Sequence, residues 1–483
     1  MTKRRMAAAV MALAIVAAVA AVTSERRGRV SSSPAEPAAD YSQGAPNVVV
    51  VMTDDQALDT MRAMPRTRRL IGGRGVTFDN AVVSFPLCCP SRATFQTGQY
   101  AHNHRVLDNH PPRGGYDRLD TERTLPVWLS RAGYETGFIG KFLNGYGKGK
   151  AAREVPPGWS EWYGLPATAK QRPFEFELNE NGELVGYGKD DYKTEVLADK
   201  ATSFLRAHAG RKRPFFLWVA TDAPHKDAGA HKRAERNPEP APRDRGRYEH
   251  KRAPNRAAVD ENDVSDKPDF VKGRTRLDKK QRDEIRKVFV SQLESLVAID
   301  RLVKGIVKEL RHAGELDNTL IVFTSDNGFL RGQHRLESGK SSLYEEAIRV
   351  PLLVRGPGFP QGVRDNRLVG NVDLAPTILD LTGATADVDL DGGSLVPYQR
   401  TREDRGRTIL LEVFERMTGR FVGVRTRRYA YAEYDDRQRE LYDLKRDPQQ
   451  LDNVANRRRY AEVREKLSKR VAELRNCAGT ECR

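Results

Sequence analysis

Pro46-Asn47-Val48-Val49-Val50-Val51-Met52-Thr53-Asp54-Asp55-Gln56 is the stretch on which the fold turns. Its unbroken β-branched run shows no polar alternation, the pattern of a central strand covered on both faces. The run ends in two adjacent carboxylates. At the end of a buried strand these cost free energy unless a cation neutralises them. A surface turn with an Asp helix cap accounts for the same residues equally well. Other runs share the form. The run 135–140 ends at Lys141, the run 214–221 (PFFLWVAT) leads into Asp222-Ala223-Pro224-His225, and the run 319–324 ends in Ser325-Asp326-Asn327-Gly328. Asp54, Asp55, Lys141, His225, Asp326 and Asn327 thus each follow the C-terminal end of an expected strand. Ligands bind at that edge of an open α/β sheet, so the expected class is α/β with these residues converging.

A second stretch carries the chemistry: Pro86-Leu87-Cys88-Cys89-Pro90-Ser91-Arg92-Ala93-Thr94-Phe95-Gln96-Thr97-Gly98. It contains C-x-P-S-R, then Thr-Gly. A vicinal disulfide in a turn followed by an ordinary helix start is one reading. Chance agreement with four fixed residues in a chain this long is on the order of one in a thousand. The stretch resembles the type I sulfatase signature, in which the first Cys, here Cys88, is oxidised to formylglycine by a dedicated enzyme. The doubled Cys resembles the N-acetylglucosamine-6-sulfatase and extracellular glucosamine-sulfatase branch. Hydrated formylglycine is a gem-diol. One hydroxyl attacks sulfur and expels the alcohol; the other loses its proton, re-forms the aldehyde and ejects sulfate. Arg92, four residues on, can turn back toward that carbon and hold the oxyanion form.

The resemblance implies roles for the other residues. Asp54, Asp55, Asp326 and Asn327, with residue 88, are implied to hold a divalent ion. Hard oxygen donors suit Ca²⁺ or Mg²⁺ rather than Zn²⁺, and the family implies Ca²⁺. Lys141, His225 and Lys340 are implied to bind sulfate; His225 or Lys340 would protonate the leaving alcohol, and Asp326 would accept the attacking hydroxyl's proton. Many arylsulfatases show G-K-W-H-L-G where this chain has Gly140-Lys141-Phe142-Leu143-Asn144-Gly145. The missing His, with Asn144 nearby, matches the glucosamine-sulfatase branch, which shows G-K-Y-L-N-E-Y. The implied fold is alkaline-phosphatase-like: a large mixed sheet flanked by helices, plus a smaller C-terminal α+β domain with an antiparallel sheet.

The chain's 483 residues exceed what one hydrophobic core usually supports. Residues 1–23 read as a signal peptide, with Lys3, Arg4 and Arg5 before an apolar run and Ala18, Ala20 and Ala21 offering a cleavage site. An uncleaved anchor is the alternative. Residues 24–45 read as a flexible linker, 46–385 as the catalytic domain and 386–483 as the smaller domain. Within the catalytic domain, 226–280 is a charged insertion, either a cover for the pocket mouth or a solvated spacer. Export implies a secreted or extracytoplasmic protein with no stable membrane association after cleavage. Cys477 and Cys482 then form a terminal disulfide.

The net charge of +16 suits a sulfated small molecule or glycan, although genomic Arg bias produces the same excess. No nucleic-acid motif accompanies it. His102 and His104 read as loop supports or rim residues rather than metal ligands. Trp159, Trp162 and Tyr163 read equally as sugar-stacking or core aromatics. Apolar residues at helical spacing predict a long helix over 279–310, and short strands are expected at 408–414, 420–426 and 429–434. Together these features point to a secreted sulfatase acting on glucosamine-type sulfate esters, matured by a formylglycine-generating enzyme. A phosphoesterase or phosphonate hydrolase would need a second metal site, for which the chain offers no further His and Asp set. A non-catalytic binder of sulfated glycans would have no use for the nucleophile.

Overall fold

The computed structural model describes residues 44–483, except 168–171, 227–236, 255, 397, 399–405 and 415–418. The expected signal peptide, nearly all of the linker and part of the insertion lie outside the described residues.

Ten strands form the large sheet: β1 Asn47–Thr53, β2 Val76–Val82, β3 Glu135–Gly140, β4 Glu161–Gly164, β5 Glu177–Glu180, β6 Glu183–Gly186, β7 Phe215–Ala220, β8 Thr319–Ser325, β9 Leu352–Arg355 and β10 Val363–Gly370. Their order is β10-β2-β9-β8-β1-β7-β3-β4-β5-β6. β8, β1, β7 and β3 run parallel at its centre, while β9 lies antiparallel to β8 and β2. The sheet is therefore mixed, as expected. Every residue of β1 is buried. Val48, Val50 and Met52 join a cluster with Ala93, Phe95, Trp128 and Ile378, whereas Val49 and Val51 face Phe204, Phe289 and Leu296 on the other side. Those partners sit on five helices: α1 Cys88–Thr97, α2 Leu125–Arg131, α3 Lys193–His208, α4 Lys279–His312 and α5 Leu374–Thr382. A strand sandwiched in this way gains from apolar residues at every position, which explains its unbroken valine run.

The long helix α4 begins with a capping box. Asp278 accepts from the Gln281 N–H, and the Gln281 side chain accepts from the Asp278 N–H. The expected C-terminal strands are present as β11 Thr408–Val413, β12 Phe421–Thr426 and β13 Tyr429–Tyr434. A further strand, β14 Arg439–Asp443, completes an antiparallel sheet in the order β11-β12-β13-β14. Helix α6, Ala461–Leu474, buries Leu467, Val471 and Leu474 in a cluster that also holds Ile409, Val424, Leu441 and, next to α1, Phe85 and Leu87.

Three expectations resolve on packing. Trp159 and Trp162 belong to the core, with Trp162 stacked on Phe138 at 4.4 Å, so they do not face a sugar. The described part of the insertion contains short helical turns at Pro242–Asp244 and Asp269–Lys272 and is not solvated throughout: Asp244, Ala258, Lys267 and Leu277 are buried, and Lys267 pairs with Glu261 at 3.1 Å. Cys477 and Cys482 are disulfide-bonded.

Candidate active site

The central strands stop in register. Thr53 lies opposite Ser325, Met52 opposite Ala220, and Gly140 opposite Ala220. Backbone bonds continue past the ends: Thr221 N–H donates to the Met52 carbonyl, Lys141 N–H to the Ala220 carbonyl, and Asp326 N–H to the Thr53 carbonyl. The residues that follow each strand are therefore fixed beside one another. Asp55 adopts φ +60°, uncommon for a residue with a Cβ, and so turns the chain sharply after β1. Its N–H donates to Asp326 Oδ1 at 3.2 Å.

Cys88 opens α1, which delivers it to this edge with 1% exposure. The signature's other residues secure the helix. The Cys89 N–H donates to Asn109 Oδ1 at 2.8 Å, and Asn371 Nδ2 donates to Ser91 Oγ at 3.0 Å. Gly98 ends the helix at φ +65°, where a side chain would meet Leu390 and Pro376. Across from α1, the Ser341 N–H donates to the Pro86 carbonyl at 2.9 Å. That bond ties the loop carrying Lys340 to the signature loop.

Cys88 Sγ lies 2.9 Å from Lys340 Nζ, 3.5 Å from Asp54 Oδ1 and 3.8 Å from Lys141 Nζ. Lys141 pairs with Asp54 at 2.5 Å, and Lys340 pairs with Asp55. His225 Nε2 is 3.5 Å from Asp55 Oδ2. Ligand atoms of Asp54, Asp55, Cys88 and His225 all lie within 4.8 Å of one another. His225, read from the sequence as a sulfate contact, thus stands among the possible metal ligands. Asp326 and Asn327 join through Asp55: Asn327 Nδ2 donates to Asp55 Oδ1 at 2.6 Å.

The sequence suggested that Arg92 turns toward residue 88. Its hydrogen bonds run elsewhere. Nε donates to Asp326 at 2.8 Å, Nη2 to Asp54 at 3.0 Å, and Nη1 to the carbonyls of Lys141 and Phe142. One planar fork at 0% exposure therefore joins the ends of β1, β3 and β8.

Burial raises the Asp54 carboxyl, but Lys141, His225, Arg92 and Lys340 reverse this and hold it well below the ordinary range. Burial and the Asp54 charge push Asp326 up to about 6 against the opposing pull of Arg92. Burial, with Asp54 adding, pushes the Cys88 thiol up to about 12. As encoded, that side chain is a poor nucleophile at neutral pH.

Asp54, Asp55, Cys88 and His225 are a group that could hold a metal ion. Asp54, Asp55 and Asp326 bring three carboxylates to one buried place, and Asn327 Oδ1 is buried without a hydrogen-bond partner. An orphaned buried carbonyl oxygen is costly unless an ion or water meets it. Oxygen donors of this kind select Ca²⁺ or Mg²⁺.

A pocket of 260 Å³ opens beside Cys88, lined also by Lys141, His225, Asn109, Asn144, Tyr192 and Lys193. Asn144, which stands next to the position of the missing arylsulfatase His, lines it and donates its backbone N–H to Cys89 Sγ at 3.1 Å. Pro238 and Glu239 of the insertion reach the same pocket. The sequence reading missed Lys193 and its ion pair with Asp222 at 2.6 Å. Asp222 immediately precedes Ala223-Pro224-His225 and was a signal available for it; the α3 start gave none. His102 and His104 are not ligands here. His102 is bound by Glu412 and the Cys477 carbonyl, and His104 by Thr94 and the Val106 N–H.

A family model for sulfatases matches residues 46–384, and one for the C-terminal region of N-sulphoglucosamine sulphohydrolase matches 332–477. The human N-acetylglucosamine-6-sulfatase is 34% identical, covering 91% of this chain and 86% of its own. An arylsulfatase of Volvox carteri is 32% identical over 90% of this chain and 75% of its own. A solved structure in complex with its substrate, D-glucosamine-2-N,6-O-disulfate, superimposes with a TM-score of 0.74 at 25% identity, covering 89% of this chain and 97% of that one. The architecture is alkaline-phosphatase-like, as those relatives imply.

Proposed function

Because the chain belongs to the sulfatase family and is a sulfuric ester hydrolase, we propose that it cleaves sulfate esters of glucosamine-type sugars with Cys88 in its formylglycine form. The carrying observation is the placement of Cys88 Sγ at 2.9 Å from Lys340 and 3.5 Å from Asp54, in the lining of a pocket of 260 Å³. The sulfur atom marks where the aldehyde and hydrate oxygens stand after oxidation.

Formylglycine hydrate supplies a nucleophilic hydroxyl and a second hydroxyl whose deprotonation releases sulfate. Asp54, Asp55, Asp326 and Asn327, with residue 88, would hold a Ca²⁺ ion, which would supply Lewis-acid polarisation of the sulfate. This chain's own residues do the rest. Lys141 and Lys340 meet the sulfate oxygens as negative charge gathers. Arg92 positions Asp54 and Asp326. Burial holds the His225 imidazole below its ordinary range, although Asp55 and Asp54 oppose this. Lys340, or His225 in its protonated form, gives its proton to the leaving sugar oxygen, and Asp326 takes one from the attacking hydroxyl. Asn109, Asn144 and the Lys193–Asp222 pair offer hydrogen bonds to the sugar's hydroxyl and amino substituents. The similarity to glucosamine sulfatases supports that sugar class.

The N-terminal signal reading makes the enzyme secreted, and maturation requires a formylglycine-generating enzyme. No helix among the described residues is long and apolar enough to cross a membrane. Residues 46–385 form the catalytic domain and 386–483 the smaller one. The test is mass analysis of the Cys88 peptide from natively expressed enzyme, paired with turnover of Cys88→Ala on an aryl sulfate. The expected results are an aldehyde at position 88 and loss of at least about 10³-fold in kcat. An unmodified thiol in fully active enzyme overturns the proposal.

A further inference from the structure

Six of the chain's 82 Lys and Arg residues line a groove on the small sheet. It lies between the β12–β13 turn and α6, and shares no lining residue with the pocket at Cys88. Its volume is 680 Å³, within the roughly 300–1,000 Å³ typical of small-ligand sites. Its charged lining is Arg407, Arg427, Arg428, Lys466, Lys469 and Arg470 against one carboxylate, Glu473. Some of that charge is already paired. Arg407 meets Asp373, Arg428 meets Asp443 at 2.7 Å, and Arg470 meets Glu473 at 3.1 Å. Arg427, Lys466 and Lys469 are exposed and form no ion pair with any described residue.

The floor is apolar. Leu368 and Leu467 are buried, Val463 and Tyr429 half-buried, and the Arg428 guanidinium lies over the Tyr429 ring at 4.9 Å. A neighbouring cleft shares Arg427 and Arg428 and extends the positive surface to Lys445. A cationic rim over an aromatic and aliphatic floor matches a ligand with anionic substituents on rings that have apolar faces. Sulfated sugars have that construction: sulfates meet the rim while a pyranose C–H face lies on Tyr429. The concavity does not match a flat membrane.

We propose that this groove is a second binding site, which holds a sulfated glycan chain away from the catalytic pocket. It takes its ligand class from the sulfated-sugar reading above but concerns a separate surface. Three free cations at one groove recruit a polymer through charge and counterion release, while a monosaccharide or aryl sulfate has no need of them.

The test uses the full chain with a triple variant, Arg427→Ala, Lys466→Ala and Lys469→Ala. The probe is a heparin octasaccharide, with binding measured across a salt series by calorimetry. The expected result is at least about a fivefold loss of affinity near 0.1 M salt. The slope of log affinity against log salt should fall by about two to three. Aryl sulfate turnover and the melting temperature should stay at wild-type values, which separates failure of this proposal from failure of the catalytic reading. A control variant, Lys279→Ala, Lys280→Ala and Lys304→Ala, removes equal charge from exposed positions on α4 and should bind as wild type does. Unchanged binding by the groove variant, or an equal loss in the α4 control, overturns the proposal. Groove-dependent binding of single-stranded DNA as tight as that of the octasaccharide overturns the glycan assignment.

Discussion

Replacing Arg92 with Ala removes the fully buried cation that joins the carboxylates after β1 and β8. Its Nε and Nη2 lie 2.8 and 3.0 Å from Asp326 and Asp54, with all three side chains at 0% or near-0% exposure. Lys141 remains on Asp54, but Asp326 keeps no other ion-pair partner among the described residues. The carbonyls of Lys141 and Phe142 lose their donor as well. Breaking a buried pair from one side costs about 3–5 kcal/mol, because a buried charge is left uncompensated. For the folded unit Tyr41–Arg483, unfolding entropy of about 2.1 cal/mol/K per residue gives about 0.9 kcal/mol per kelvin. The melting temperature should therefore fall by about 3–5 °C. The carboxylates shift as well, so kcat/KM on an aryl sulfate should drop by at least about a hundredfold. Arg92→Lys keeps the charge but not the planar fork, and should regain part of the melting temperature with little of the activity. Scanning calorimetry and steady-state kinetics at fixed Ca²⁺ decide it. An Ala variant that melts within about one degree of wild type and keeps activity within about threefold would refute the reasoning.

Two other outcomes test separate parts of the structure. Asn327→Leu removes the orphaned Oδ1 and should raise the Ca²⁺ concentration for half-maximal activity at least about tenfold, with a chelator abolishing wild-type turnover; superimposable Ca²⁺ titrations of the two proteins would remove Asn327 from the ion site. His102 is pulled down by burial and raised more by Glu412, so its folded value lies above the free imidazole's. Its stabilisation is complete below the unfolded value near about 6.5 and disappears as pH rises through the folded one. The melting gap between wild type and His102→Gln should thus be wider at about pH 6 than at about pH 9, and a pH-independent gap would show that the Glu412 contact carries no charge.

Part of the candidate site was legible because several of its residues sit beside a strong local signal. An apolar strand reports its own burial, and the residues just past its end inherit a place on the sheet edge. The convergence of Asp54, Asp55, Lys141, His225, Asp326 and Asn327 at one edge was expected in this way, and the place of Cys88 through its dense motif. Strands such as β2, with the sequence Val-Thr-Phe-Asp-Asn-Ala-Val, and the short β4 to β6 gave no such signal. They lie toward the sheet's flanks, where polar residues are tolerated and local pattern weakens. Lys193 was invisible for a different reason: a lysine at a helix start looks solvated until Asp222 is seen 2.6 Å away.

The chain's own order of residues determined which strands are covered on both faces, where each stops, and which chemical groups stand at the stops, since burial and turn formation depend on neighbours in sequence. Tertiary structure alone decided the partners. Arg92 could have reached for residue 88, but Asp54 and Asp326 arrive from strands far away in sequence and draw its donors, because a buried guanidinium is most stable where ionised carboxylates satisfy it. The same long-range assembly sent Trp162 into the core and left Arg427, Lys466 and Lys469 without an ion-pair partner among the described residues around one groove, arrangements that no local pattern encodes.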